Sequence, residues 1–432
     1  MLNDRLPRRR SSAPSIGALA VVVSAIALVA TGCGILGGAP APTPTLPLYS
    51  PGPTGTPEPP AQVYARIEQE VQQIRGLTAL DPVDPKILST ADLSTELRSR
   101  FDKDNPPELI AGQQQLYEDL GLLPANASLK DLLLAMLTSQ VAGFYRPDTK
   151  EMFVVSQTGE IGPTEQVSFA HEYDHALQDQ HFDLTKLGTD VADQGDRSIA
   201  RLSLAEGDAT LLMSDWAQQG LTPVQVLQLL QGSTDPASTA VLASMPPYLK
   251  DDLLFPYTSG LAFVEGIQTS GGWPAVDKVW AAPPDSSEQI LHPQKYADHE
   301  EPVAVSIPAD LASRLGTGWK VTLQDTLGEF TLREWLQITG GLPADTAGDG
   351  AAGWGGDRVV LVEGPAGASG VAILSKWDTT TDADQFEAAA KTTAGKLPHA
   401  DVFRPDPSSV AVVIGSDDAI RARLANVLGL AG

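Results

Sequence analysis

The sequence predicts an α+β protein in which a mostly helical region with a small β-hairpin precedes a smaller α+β unit. Apolar residues recur at helical spacing between residues 62 and 137. Aromatic and β-branched residues flank a Pro-Asp turn within 142–155, which is typical of a hairpin. Beyond residue 302, short apolar runs typical of strands alternate with amphipathic segments. We therefore expect one domain at 62–301 and a second at 302–432.

The first 33 residues have the pattern of an export signal. A cluster of arginines around Arg8 precedes the apolar run 16–30 and a small-residue stretch that ends at Cys33. This pattern resembles the signal peptide of bacterial lipoproteins, with Ala30 where that family usually has leucine. The resemblance implies that residues 1–33 are a lipoprotein signal with a lipidated Cys33; an uncleaved signal anchor is the alternative. Either would place the protein at the extracytoplasmic face of the cell membrane, in the bacterial envelope.

Composition narrows the classes of partner. Residues 34–61 are rich in Pro, Gly and Thr and predict a semi-rigid linker between the membrane anchor and the first domain. The net charge is −25 and no basic face is evident, so we expect no nucleic-acid partner. Cys33 is the only cysteine, so an intramolecular disulfide is impossible.

The central motif is H-E-x-x-H at His171–His175. Pro163 and Glu165 suit the first turn of a helix that would carry this motif. On that helix His171 and His175 lie one turn apart on one face, where both imidazoles can bind one Zn²⁺ ion. Glu172 lies beside the two histidines, which is the position that a general base needs in order to take a proton from zinc-bound water. The alternative is a helix with two ordinary core or solvated histidines.

A catalytic zinc ion usually has three protein ligands. One candidate for the third is His181, because H-E-x-x-H-x-x-Q-x-x-H resembles the metzincin motif. That motif has glycine where this chain has Gln178, and the glycine lets the helix end so that the last histidine can turn to the metal. Gln178 favours a continuous helix, on which His181 would point away from the metal. His181 therefore remains the alternative ligand.

The preferred third ligand is Glu206. Residues 198–216 predict an amphipathic helix, and Leu204–Ala209 resembles the L-x-E-G-x-A motif of gluzincin-type peptidases. In those enzymes a second helix brings a glutamate to zinc already held by H-E-x-x-H. Thr210 stands where some gluzincins have an aspartate that orients a ligand. We expect Asp208 or Asp179 to orient an imidazole instead.

Together these motifs resemble a gluzincin-like zinc metallopeptidase domain of the zincin type. The resemblance implies a membrane-anchored zinc metallopeptidase that hydrolyses a peptide or protein substrate, with Glu172 as general base. His292 is the preferred residue to stabilise the oxyanion, and the other candidates are Tyr145, Tyr257 and Tyr296. Two alternatives stay open. One is a catalytically inactive zinc-binding surface lipoprotein that uses 302–432 for interaction. The other is a metal hydrolase that does not act on peptides, or a lipoprotein that binds no metal.

Overall fold

The computed structural model describes residues 58–156, 161–232 and 236–430. The predicted signal with Cys33 and most of the predicted linker lie outside these ranges. Within them the chain is α+β, mainly helical with two small sheets, as the sequence predicts. None of the helices in these ranges combines the length and hydrophobicity that a membrane span requires.

The part of the chain before residue 302 is mostly helical and contains a three-stranded sheet. Its helices and strands are α1 (Pro60–Arg75), β1 (Pro85–Leu88), α2 (Thr90–Asp104), α3 (Pro107–Asp119), α4 (Leu129–Gln140), β2 (Gly143–Arg146), β3 (Glu151–Val155), α5 (Pro163–Phe182), α6 (Gly195–Gly220), α7 (Pro223–Gly232), α8 (Pro236–Ser244), α9 (Pro247–Gly271), α10 (Trp273–Ala281), α11 (Ser287–Leu291) and α12 (Pro293–Ala297).

The predicted hairpin is confirmed and forms most of this sheet. Strand β2 pairs antiparallel with β3, and β1 pairs parallel with the other side of β3. The order β1-β3-β2 leaves β2 at an edge. The sequence did not predict β1, because the strand lies within the region 62–137 where the apolar spacing predicts helices. Helix α2 begins after this strand, at Thr90, where the Ser89 side chain accepts the N–H of Asp92.

Helix α9 is long and continues through Pro256. It crosses α6 at two glycines. A Cβ atom at Gly207 would lie 2.3 Å from the carbonyl oxygen of Gly260, and one at Gly260 would lie 2.3 Å from that of Ser203. Only glycine allows the two backbones to approach so closely. This contact fixes α9, and with it Tyr257, against the helix that carries Glu206.

The part after residue 302 is built on a five-stranded antiparallel sheet of order β4-β5-β6-β8-β7. The sequence predicts the three central strands, which are buried on both faces, but not the edge strands β4 and β7, which are more polar. The elements are α13 (Leu311–Leu315), β4 (Lys320–Asp325), α14 (Gly328–Glu334), α15 (Ala344–Ala351), β5 (Trp354–Glu363), β6 (Ser369–Trp377), α16 (Thr380–Ala394), β7 (Ala400–Asp406), β8 (Ser409–Gly415) and α17 (Asp418–Val427).

The two parts share a hydrophobic core. Alternate residues of β5 face opposite sides of the sheet, and Val359 and Leu361 belong to a cluster that includes side chains of α3, α4 and α9. Val360 and Val362 face the other side, against α13 and α17. The indole of Trp335 donates a hydrogen bond to the carbonyl of Leu120, at 3.1 Å. Continuous packing therefore crosses position 302.

Candidate metal centre

Helix α5 carries the H-E-x-x-H motif in its middle. It begins after Gly162, whose N–H donates to the Glu165 carboxylate at 3.0 Å, as expected for an acidic residue in the first turn. It continues to Phe182 and ends at Asp183, which adopts a left-handed conformation with φ of 60°. The helix therefore has no break at Gln178.

His181 lies away from the motif because the helix is continuous. Its side chain is exposed, and its Nε2 lies 2.8 Å from the carbonyl oxygen of Thr78. It belongs to neither of the clusters of possible metal ligands in the described part of the chain. The structure thus separates the alternative ligand from His171 and His175.

Helix α6 brings Glu206 to the two histidines. The Glu206 Oε2 atom lies 3.1 Å from His171 Nε2 and 3.3 Å from His175 Nε2, and the two Nε2 atoms are 3.1 Å apart. Metal–ligand bonds of about 2.0–2.1 Å in a tetrahedral zinc site place neighbouring ligand atoms about 3.3–3.4 Å apart. The three atoms therefore form a triangle close in size to one face of such a site. All three side chains are at most 1% exposed.

Gln178 orients the His175 imidazole. Its Nε2 donates to Asp174 Oδ2 at 2.8 Å and to the carbonyl of Ala205 at 3.1 Å, which leaves Oε1 as the acceptor for His175 Nδ1 at 2.9 Å. With the proton on Nδ1, the lone pair of His175 is on Nε2, which faces Glu206. This role of Gln178 was missed in the sequence.

The expectation that Asp208 or Asp179 orients a ligand is wrong. Asp179 accepts the hydroxyl of Tyr145 at 2.7 Å and pairs with Lys150 at 2.6 Å. Asp208 pairs with Arg75 instead, as described below. Asp174 lies one turn before Gln178 on the same helix, but the second acceptor, the Ala205 carbonyl, lies on α6. The sequence alone therefore does not reveal that Gln178 orients His175.

We expect Gln178→Leu to weaken zinc binding about 10- to 100-fold, since the loss of a partner that orients a metal ligand typically has this effect. Competition with a chromogenic chelator measures the dissociation constant. The matched control is Gln180→Leu on the same helix, where the glutamine contacts Leu80 and Asp81 instead of a ligand. Equal affinities for the two variants would contradict the assigned role.

Glu172 is fully buried beside the three ligands. Neither oxygen of its carboxylate has a hydrogen-bond partner among the described residues. Burial raises the pKa of Glu172 to about 8. Strand β2 packs directly on this residue, because a Cβ atom at Gly143 would lie 3.1 Å from Glu172 Cγ and 2.6 Å from Ser168 Oγ. Gly143 thus leaves room for the Glu172 side chain.

The three candidate ligands differ in charge. Burial alone would lower the pKa of His175, but Glu206 outweighs burial and raises this pKa to about 10, so a metal ion would have to displace a proton from His175. Burial lowers the pKa of His171 to about 4, which keeps its imidazole neutral. Burial alone would raise the pKa of Glu206, but His175 and His171 outweigh it and lower this pKa to about 2. A neutral imidazole and an ionised carboxylate are the forms that ligate zinc.

A buried arginine contacts both helices that carry the candidate ligands. Arg75 of α1 is fully buried, and its Nε and Nη2 each donate to the Asp208 carboxylate at 2.9 Å, while Nη1 donates to Asp277 at 2.7 Å. Its Nε also lies 3.9 Å from Asp174 Oδ1. Asp208 follows Glu206 by two residues and Asp174 precedes His175, so Arg75 joins the two ligand-bearing helices. No local sequence pattern predicts that Arg75 has this role.

The candidates for oxyanion stabilisation lie in different places. The Tyr257 ring is buried, with its centroid 6.3 Å from that of His171. His292 Nε2 lies within hydrogen-bond distance of Glu329 Oε1, at 2.8 Å, and Glu329 belongs to the part of the chain after residue 302. No contact among the described residues joins His292 to the three candidate ligands. The hydroxyls of Tyr145 and Tyr296 donate to Asp179 and to the Ala282 carbonyl. Tyr257 is therefore better placed than His292, which the sequence favoured.

Comparison with known proteins gives one match. Residues 317–425 match the family described as "Domain of unknown function (DUF8575)". This region extends from β4 into α17, and so it contains the five-stranded sheet but none of the candidate metal ligands. No curated protein and no solved structure matches the chain.

Proposed function

We propose that this protein is a zinc metallopeptidase of the zincin type, with zinc held by His171, His175 and Glu206. The observation that carries the proposal is the convergence of these three side chains from two helices, next to the unpaired, buried carboxylate of Glu172. We also propose that a lipid on Cys33 anchors the protein at the extracytoplasmic face of the membrane. That part rests on the sequence pattern of residues 1–33.

The residues fit a zinc ion on two counts. The spacing of the three ligand atoms matches a tetrahedral site, and the ligand set of two histidines and one glutamate is one that catalytic zinc uses. Glu206 Oε1 and both oxygens of Glu172 are also buried without hydrogen-bond partners among the described residues. Buried carboxylates without partners are costly, and a cation between them would offset that cost.

Zinc in this site would polarise a substrate carbonyl and lower the pKa of an attacking water. Glu172 would take the proton from that water and deliver it to the leaving amine. Its carboxyl group lies next to the candidate ligands without a side-chain hydrogen bond among the described residues, and the positive charge of zinc would favour the ionised form that can accept a proton. Gln178 holds the His175 ring in place throughout. The Tyr257 ring lies next to His171, and its phenol is the group that we propose to stabilise the oxyanion.

Strand β2 suggests how a peptide would be held. It is one of the two edge strands of its sheet and packs on α5 at Glu172. Many peptide-binding proteins add an extended ligand to such an edge by backbone hydrogen bonds. An extended peptide along β2 would pass the metal centre with its carbonyl groups near Glu172.

The proposal is tested by incubating the zinc-loaded protein with a peptide library and with casein. We expect cleavage that stops when a chelator removes the metal and returns when zinc is added. Zinc binding without cleavage of any peptide would instead support the scaffold alternative, and cleavage of only non-peptide esters would support a different hydrolase.

A further inference from the structure

A cavity of about 180 Å³ lies close to the candidate metal centre, although none of the three candidate ligands lines it. Ile199, Leu202 and Glu206 lie on one face of α6, at positions i, i+3 and i+7, and the first two line the cavity. Tyr257 also lines it while its ring lies against His171. The cavity therefore begins about one helical turn from the ligand Glu206.

The walls come from both sides of position 302. Apolar side chains of α2, α3 and α4, such as Leu116 and Leu133, form one side, and Leu323 and Leu327 close the other. A cavity of about 150 Å³ lined by apolar side chains is large enough to bind benzene. This one can therefore hold an aromatic or large aliphatic side chain.

Two buried acceptors face this space without partners. Asn105 and Gln113 line the cavity and are 5% and 8% exposed, and neither Asn105 Oδ1 nor Gln113 Oε1 has a hydrogen-bond partner among the described residues. The Asn105 amide is oriented by its Nδ2, which donates to the carbonyl of Phe101 at 3.1 Å. A buried acceptor without a donor is costly, so a ligand that offers N–H groups would be favoured.

The carboxyl groups that line the cavity do not require a cationic ligand to balance their charge. The Asp196 carboxylate accepts the backbone N–H of Ser287, and Asp325 accepts those of Gly195 and Thr326. Burial raises the pKa of Asp252 to about 7.

We infer that this cavity receives a large apolar side chain of the peptide substrate, while amide N–H groups of that peptide donate to Asn105 and Gln113. The inference rests on the proposed peptidase function and extends it in two ways. It names the substrate class as peptides with a large apolar residue near the cleaved bond. It also gives residues 323–331, which belong to the matched family region, the role of completing the specificity pocket.

Binding tests the inference separately from catalysis. Full-length Glu172→Gln protein loaded with zinc is titrated with two blocked pentapeptides that differ only in a central Phe or Ala. We expect the Phe peptide to bind at least about 10-fold more tightly, the smallest discrimination typical of a fitted apolar pocket. Equal affinities, or binding of decanoate with no binding of the Phe peptide, would overturn the inference.

Variants locate the effect in the cavity. Leu327→Trp should fill the space and reduce the preference for Phe to within about twofold. If that variant does not fold, Leu253→Phe fills the cavity from α9. Gln113→Leu should weaken binding of both peptides about 10-fold and leave their ratio unchanged, as expected for a lost backbone hydrogen bond. A Phe preference that persists in a folded, filled variant would contradict the assignment.

Hydrolysis by the wild-type protein separates the two proposals. Tight binding of the Phe peptide without cleavage would reject the peptidase and retain the pocket. Cleavage of both peptides at equal kcat/KM would retain the peptidase and reject the pocket.

Discussion

Glu172→Gln is expected to lower kcat/KM for peptide hydrolysis by about 10²- to 10⁴-fold, the usual contribution of a general base. Glutamine has nearly the same shape but cannot accept the proton from the attacking water. The zinc content should stay that of the wild type, because Glu172 is not among the three ligands. Steady-state kinetics with a cleaved library peptide, together with metal analysis, measures both quantities.

Glu165→Gln is the matched control, since it makes the same change on the same helix, two turns before Glu172, where the carboxylate accepts the N–H of Gly162. Its activity should stay within about twofold of the wild type. Full activity in Glu172→Gln, with zinc bound, would mean that another group removes the proton.

Arg75→Met is expected to destabilise the protein by about 3–5 kcal/mol, the usual cost of removing one partner from a buried ion pair. The substitution leaves the carboxylates of Asp208 and Asp174 buried without their cation. Burial alone would lower the pKa of Arg75, but Asp208, Asp174 and Asp277 outweigh it and raise this pKa, so the guanidinium is charged in the folded protein. Denaturation in urea measures the change in the free energy of unfolding.

Arg98→Met, at an exposed position of α2, is the control and should change stability by no more than about 0.5 kcal/mol. Adding Asp208→Asn to Arg75→Met should recover part of the loss, because it removes one of the stranded charges. A loss below about 1 kcal/mol in Arg75→Met would show that the network contributes little to stability.

The features that the sequence predicts are those that depend on neighbouring residues. The helical H-E-x-x-H motif follows from Pro163, Glu165 and the one-turn spacing of His171 and His175, and the structure has each of these. The continuous helix past Gln178, which leaves His181 outside, follows from local helix preference. Glu206 is the third ligand that its own short motif predicts, and the structure places its carboxylate beside both histidines.

The features that the sequence missed depend on contacts between distant segments. Arg75 lies 133 residues from Asp208, and no residue pattern near either position predicts that the two side chains form an ion pair. Gln178, which orients His175, is itself held in part by the Ala205 carbonyl of α6, a contact between distant segments. His292 was favoured because it precedes a proline, yet its partner Glu329 lies beyond position 302. The edge strands β4 and β7 lack the apolar pattern of strands buried on both faces.

The most direct test of the central claim is the zinc content of the purified full-length protein, measured by mass spectrometry after dialysis against a weak chelator. We predict about one zinc per wild-type chain and per His181→Ala chain, and almost none in Glu206→Ala. Loss of zinc in His181→Ala with retention in Glu206→Ala would contradict the assigned ligands. Absence of zinc from the wild-type protein, even after incubation with the metal, would contradict the metal centre itself.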